Sequence, residues 1–392
     1  MKKLIKITSV FMTRFFSGLS PILLLVFLQS HKGTKFTGVY IMCFGLANVL
    51  YVAFQGYMPV TFARLFDSRR CNINLVKADL LLTIFYAVIV TPLFILISWS
   101  FSLNVNFEYA ISVLFFLIGV ACLNSLGKFF LNRGDINLYI MMVVFFPSMI
   151  SFLSLFTSGV LNVKDGDFVG ISDLALSFLL ICILTYCFFC VNYKDKNKDK
   201  NRTFYFFWSD FRERFYRTIL SLSEQVDVII LPTLSLNSLV SFTYIKRILG
   251  VGSIASSIIT KTFEKSIIKT NSANGLSVVR KYVAIIQILL SIGVVYYLFR
   301  YEPEFSGLNT SSDLLLLVSA ALVSVLQILN AGKITVILKD KRKTKLAIVT
   351  MLFISICLFF IYFVFLEGFY GFCFLYIMIN LSKVLVNYAL TR

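Results

Sequence analysis

The sequence predicts an all-α polytopic membrane protein: about twelve transmembrane helices in two six-helix lobes around a central cavity. Three observations predict it. The 392-residue chain is 58% hydrophobic and 14% charged, whereas soluble domains run near 45–50% and about 25%. Apolar runs of roughly 20 residues, the length that crosses a bilayer, recur along the whole chain. The short loops between them alternate in charge.

The runs fall at roughly 4–29, 37–63, 76–101, 108–131, 138–162, 169–193, 214–236, 239–262, 277–300, 313–338, 345–366 and 368–390. The first resembles a signal peptide, but Arg14 interrupts it and no small-residue cleavage site follows, so it is read as an uncleaved span. The eighth is the most polar and is rich in small residues, as suits a helix that packs among others.

Loop charge sets the orientation. With the N-terminus inside, the inner loops collect Lys2, Lys3, Lys6, Arg64, Arg69, Arg70, Lys77, Lys128, Arg133, the run KDKNKDKNR, Lys261, Lys265, Lys269, Arg280, Lys281 and the run KDKRKTK. The outer loops receive only Lys32, Lys35, Lys164 and Arg300 and are otherwise acidic, with Glu108, Asp165, Asp167, Asp173, Glu302, Glu304, Asp313 and Glu367. This pattern predicts cytoplasmic termini by the positive-inside rule. It also accounts for a net charge of +18 without nucleic acid. The polar segment 194–213 falls at the midpoint and predicts an N-terminal six-helix lobe at 1–193, a basic cytoplasmic linker, and a C-terminal lobe at 214–392.

Ionisable residues inside the spans carry the functional reading. A charge at the bilayer centre costs about 2.5–3.5 kcal/mol on insertion scales. Arg14 lies near the middle of span one, and Glu224 near the middle of span seven. Asp227 shares a helix face with Glu224, and Lys246 and Arg247 follow on span eight. Spans one and seven each add a later proline, Pro21 and Pro232. Spans two and eight align on Tyr-Ile, in GVYIMCFGL and FTYIKRILG, a parallel repeat of a kind found in transporters. Either these charges staple helices together, or they line a polar cavity that meets a charged substrate or coupling ion. The second reading is preferred because charged residues fall on corresponding spans of both halves.

Other chemistries lack their residues. No GxxxxGK[ST] phosphate loop occurs, and the longest expected outer loops are about a dozen residues, too short for a glycosyl-transfer domain. The Cys187–Cys190 pair has no second pair, and His31, the one histidine, is expected in a solvated loop, so neither a metal nor a cofactor is expected.

The pattern TKFTGVYIMCFGLANVL followed by GYMPVTFARLF, the segment EQVDVIILPTLSLNSLVSFTYIKRI, and the basic run after span six resemble the multidrug/oligosaccharidyl-lipid/polysaccharide flippase superfamily, more narrowly the bacterial O-antigen (Wzx-type) flippases. The second half departs from the Gly-x-Tyr helix start, with Phe242 in the glycine position. The resemblance implies a V-shaped pair of lobes that turns an undecaprenyl-diphosphate-linked oligosaccharide, an O-antigen or similar repeat unit, from the cytoplasmic to the periplasmic leaflet of the bacterial inner membrane. It implies no enzyme activity. Arg14, Lys246 and Arg247 become candidate diphosphate contacts, Arg64 and Lys128 line the inner mouth, and Glu224 and Asp227 serve as ion-pair or coupling groups. Expected partners are the lipid-linked oligosaccharide and membrane lipids, with a polysaccharide polymerase and a chain-length regulator as candidate protein partners. A multidrug efflux transporter of the same fold, and a polysaccharide polymerase or lipid-linked glycosyltransferase, are the alternatives.

Overall fold

The computed structural model describes residues 2–54, 80–81, 84–85, 88, 107–133, 135–161, 170–192, 219–220, 225–249, 277–301, 311–330, 332–366 and 368–391. Most of expected span three and the linker 194–213 lie outside them. The described elements are helices: α1 (Lys2–Phe54), α2 (Phe107–Arg133), α3 (Ile136–Ile140), a π-helical turn (Met141–Phe145), α4 (Phe146–Leu161), α5 (Ile171–Asn192), α6 (Val226–Leu234), α7 (Leu236–Leu249), α8 (Ser277–Tyr301), α9 (Ser311–Leu329), α10 (Lys333–Lys339), α11 (Lys341–Phe365) and α12 (Phe369–Thr391). Among the described residues, six spans are long and apolar enough to cross a membrane, and a shorter apolar helix covers Leu314–Leu329. The chain is an all-α polytopic membrane protein.

The chain divides into two compact units. One is Leu19–Arg214; the other joins Met1–Gly18 to Phe215–Arg392. Expected spans one and two run together as α1, broken at Gly33 with φ 80° and ψ 171°. Only glycine adopts that conformation cheaply. His31, expected in a loop, lies in α1 two residues before the break; it is exposed and stacks on Phe27 with centroids 4.1 Å apart. Expected span ten is not one helix. It stops at Leu329, turns through Gly332 (φ 77°) and resumes as the seven-residue α10.

The Leu19–Arg214 unit is held by rings. Phe116 of α2 meets Phe44 of α1 at 5.4 Å and Phe178 of α5 at 5.3 Å, each edge-on. Edge-to-face rings gain about 0.5–1.5 kcal/mol beyond buried area. Gly119 on α2 makes room for them: a Cβ there would lie 2.6 Å from the Phe178 ring. The tyrosine that opens the expected second span, Tyr40, donates its hydroxyl to Ser151 of α4 at 3.0 Å. Ser151 in turn bonds the Pro147 carbonyl at 2.8 Å. Proline has no N–H and its ring crowds the preceding turn. The π turn at Met141–Phe145 lies just upstream, where a wider turn accommodates such a break.

In the other unit α12 is central, packing on α9, α11, α6 and α10. Polar groups tie the helices, as lipid requires. Gln287 of α8 donates Nε2 to the Leu249 carbonyl at the end of α7 (2.6 Å) and to Ser324 of α9 (3.0 Å). Asn387 of α12 donates to Asn330, just past α9, at 3.0 Å.

The close approach at Gly119 yields a test. Gly119→Ala drives a Cβ into the fully buried Phe178 ring and costs roughly 1–3 kcal/mol. The variant's thermal unfolding midpoint in detergent falls below wild type; equal midpoints would refute this packing account.

Candidate functional site

The site grows from a helical hairpin. Ser235 is extended (φ −167°, ψ 133°) and separates α6 from α7. Its hydroxyl accepts the Ser238 N–H at 3.4 Å, capping α7. The chain therefore folds back, and Asp227 in the first turn of α6 reaches Lys246 in the last turn of α7. Lys246 Nζ donates to both carboxylate oxygens, at 2.8 and 3.0 Å. Each charge also suits its own helix, an acid at an N-terminus and a base at a C-terminus.

Asp227 is 2% exposed and Lys246 25%. The acid is therefore buried while the amine is partly open. Lys246 Nζ lies 5.9 Å from the Tyr376 ring centroid on α12. Tyr376 is held edge-on by Phe242 at 5.3 Å, and Phe242 also meets Phe372 at 5.5 Å. The phenylalanine at the expected glycine position is thus a packing residue, and it fixes the ring beneath the lysine.

Thr243 and Tyr244 lie one turn before Lys246 and Arg247, so the four share adjoining faces of α7. The hydroxyls of Thr243 and Tyr244 are buried with no hydrogen-bond partner among the described residues. Arg247 is half-buried on the same turn.

Of the sequence candidates, the structure brings together Asp227 and Lys246, with Arg247 beside them. Arg14 lies on α1 within the first 18 residues, which group with the C-terminal unit. Lys128 lies near the end of α2 in the other unit. Arg64 and Glu224 fall outside the described residues.

Sequence reasoning missed a polar column on α12. Asn380, Lys383 and Asn387 are 2%, 3% and 0% exposed, with Lys333 of α10 at 8%. Lys333 Nζ stands 4.2 Å from the Tyr388 ring centroid. The signal was the spacing i, i+3, i+7 in NLSKVLVN, one polar stripe along an otherwise apolar span. Arg280 of α8 is also buried, at 7%. Among the described residues the fully buried charged side chains are then Asp227, Arg280, Lys333 and Lys383, three bases against one acid. All four belong to the C-terminal unit.

The exposure difference makes the pair asymmetric. Lys246→Met strands a buried carboxylate, and stranding a buried charge costs about 3–5 kcal/mol. Asp227→Asn leaves an amine that is a quarter exposed rather than buried, so its loss is smaller. The expected order of thermal midpoints is wild type, then Asp227→Asn, then Lys246→Met. The reverse order would contradict the assigned roles.

No protein-family model matches the sequence, and no curated protein matches it. Solved structures do share its fold. The MATE transporter ClbM in complex with Rb+ aligns over 99% of this chain and 94% of its own, with TM-score 0.58 and 14% identity. A MOP superfamily transporter from Pyrococcus furiosus, described with the words "reverse polarity of binding pocket suggests different function", aligns over 99% and 92%, with TM-score 0.57 and 15% identity. A eukaryotic MATE transporter, AtDTX14, aligns over 99% and 95%, with TM-score 0.56 and 14% identity. These likenesses establish the fold.

Proposed function

We propose that this protein is a flippase that translocates an undecaprenyl-diphosphate-linked oligosaccharide, an O-antigen or similar repeat unit, from the cytoplasmic to the periplasmic leaflet by alternating access. The observation that carries the reading is the basic excess among the buried charges of the described residues: Arg280, Lys333 and Lys383, beside the Asp227–Lys246 pair. Buried positive charge in a bilayer is costly and marks a path for its opposite. A cargo of cationic drugs calls for a carboxylate-rich site; a diphosphate calls for bases. The fold is compatible with either cargo, and the Pyrococcus furiosus relative, described by its reversed pocket polarity, supports reading polarity rather than fold as the selector.

Chemistry at α7 supports the same cargo. The Thr243 and Tyr244 hydroxyls are donors without a partner among the described residues, beside Lys246 and Arg247. Phosphate oxygens accept from hydroxyls, from a lysine point charge and from an arginine fork. Lys246 exchanges the Asp227 carboxylate for a phosphate, and the carboxylate takes the amine back when cargo leaves. Arg14 joins these contacts, while Arg64 and Lys128 gather the head group at the inner mouth. Glu224 assists Asp227 as ion-pair or coupling group. The prenyl tail stays in lipid, because only the polar head pays to cross hydrocarbon. No covalent bond changes, so the chain is a carrier and not an enzyme. It acts in the bacterial inner membrane with both termini cytoplasmic, upstream of a polysaccharide polymerase and chain-length regulator.

Multidrug efflux is the second reading, favoured by the fold shared with a multidrug resistance MATE transporter captured outward-facing (TM-score 0.52). Deletion of the gene separates them. The flippase reading expects lipid-linked oligosaccharide to accumulate on the cytoplasmic face, with unchanged susceptibility to cationic dyes. Complementation by Arg14→Gln then restores export at a rate reduced by about tenfold, as loss of a charged contact worth roughly 1.5 kcal/mol implies. Raised dye susceptibility without glycan accumulation would replace this reading with efflux.

A further inference from the structure

The elbow between α10 and α11 belongs to neither the hairpin nor the polar column. Its sequence, KDKRKTK at 339–345, holds five bases and one acid. One acid cannot balance five bases, and it is turned to the backbone: Asp340 Oδ1 accepts the N–H groups of Arg342 (2.8 Å) and Lys343 (3.3 Å) as the cap of α11. Arg342 and Lys345 are exposed and form no ion pair among the described residues.

The elbow is rigid. Thr344 Oγ1 lies 2.8 Å from the carbonyl oxygens of both Ile337 and Asp340, locking α11 to the end of α10. Val336 and Ile337 of α10 are buried, and Lys333 rests on Tyr388 of α12. The bases are therefore mounted on a scaffold rather than carried on a tail.

What faces the same way is decisive. Thr344, Ala347 and Met351 are buried and mark the side of α11 turned into its unit. The opposite side runs through Leu346, Val349, Phe353, Ile356 and Phe360, between 56% and 68% exposed. At 100° per residue Arg342 and Lys345 stand at the head of that stripe. The span Arg342–Phe365 is only 17% buried, the lowest share among the six described spans. A wholly apolar stripe of this length belongs against acyl chains, and its first turn then lies at head-group depth.

We infer that Arg342 and Lys345, one turn apart at the head of the lipid-facing stripe of α11, form a fixed site for the phosphate of an anionic phospholipid, whose acyl chains lie along Leu346, Val349 and Phe353. Charge complementarity selects an anionic head group, since a zwitterionic one brings its own amine. Lys343, half-buried, flanks the site. The site does not depend on what the protein transports.

The test uses the purified full chain at physiological salt, titrated with short-chain phosphatidylglycerol, phosphatidylcholine or inorganic phosphate, with the thermal midpoint and native mass spectra read together. Phosphatidylglycerol raises the midpoint by several degrees and is retained in the spectra; phosphatidylcholine and inorganic phosphate do neither. A base near an anionic surface contributes on the order of a fivefold preference, so Arg342→Gln/Lys345→Gln lowers phosphatidylglycerol affinity roughly 25-fold while keeping the midpoint in phosphatidylcholine. Lys196→Gln/Lys198→Gln, in the other basic run, leaves that affinity unchanged. Equal stabilisation by both lipids, equal stabilisation by free phosphate, or equal loss in the control variant would each overturn the site.

Discussion

Hydrocarbon offers no hydrogen bonds, and that single fact orders this molecule. A polar group left bare in lipid costs several kcal/mol. The backbone answers by staying helical, with glycine, proline and a π turn confined to places where neighbours absorb the break. Side chains answer in pairs drawn from different helices: Tyr40 with Ser151, Gln287 with Leu249 and Ser324, Asn387 with Asn330, Asp227 with Lys246. Each such bond adds only about 0.6–2 kcal/mol. Their larger effect is to exclude other registers, because sliding a helix would strand both partners at once.

The two units meet this demand differently. Among the described residues, the buried side chains of Leu19–Arg214 are rings, aliphatics, Met142, three cysteines, and a threonine and serines, several of which bond back to their own helices. The C-terminal unit buries four charges, a glutamine and three asparagines. Among the described residues, aromatic packing and serine back-bonding hold the first unit together, while the buried ion pair, the glutamine and the asparagines lie in the other.

Much of this was legible in the sequence, and the parts that were not share a cause. Apolar length fixed where helices lie, because a bilayer imposes its thickness on every span alike. The break at Gly33 and the hairpin at Ser235 fell close to where the loops were read. Span ten is read through a real break, since the short turn in LNAGKITVIL is too closely flanked by apolar residues to register as a loop by hydropathy. The column of Asn380, Lys383 and Asn387 was passed over for a related reason: averaged over a span, three polar residues vanish among some twenty apolar ones. Read at helical period they stand in one line. The Asp227–Lys246 pairing needed the turn at Ser235, whose geometry decides which residues of two successive helices oppose each other.

The tyrosines that open the corresponding helices of the two halves show how a repeat acquires a site. Tyr40 and Tyr244 occupy matched positions in GVYI and FTYI. In the first half Gly38 stands two residues before Tyr40, whose hydroxyl reaches Ser151 on α4. In the second half Phe242 stands there and engages Phe372 and Tyr376. The Tyr244 hydroxyl is left buried without a partner among the described residues. An orphaned buried hydroxyl costs about 1–3 kcal/mol, and a second one, on Thr243, sits beside it. The Phe242 ring seats Tyr376 near Lys246, and buried hydroxyls without a partner among the described residues lie beside that base. In one half the matched turn ties two helices together through Tyr40; in the other it carries polar groups that no described neighbour satisfies.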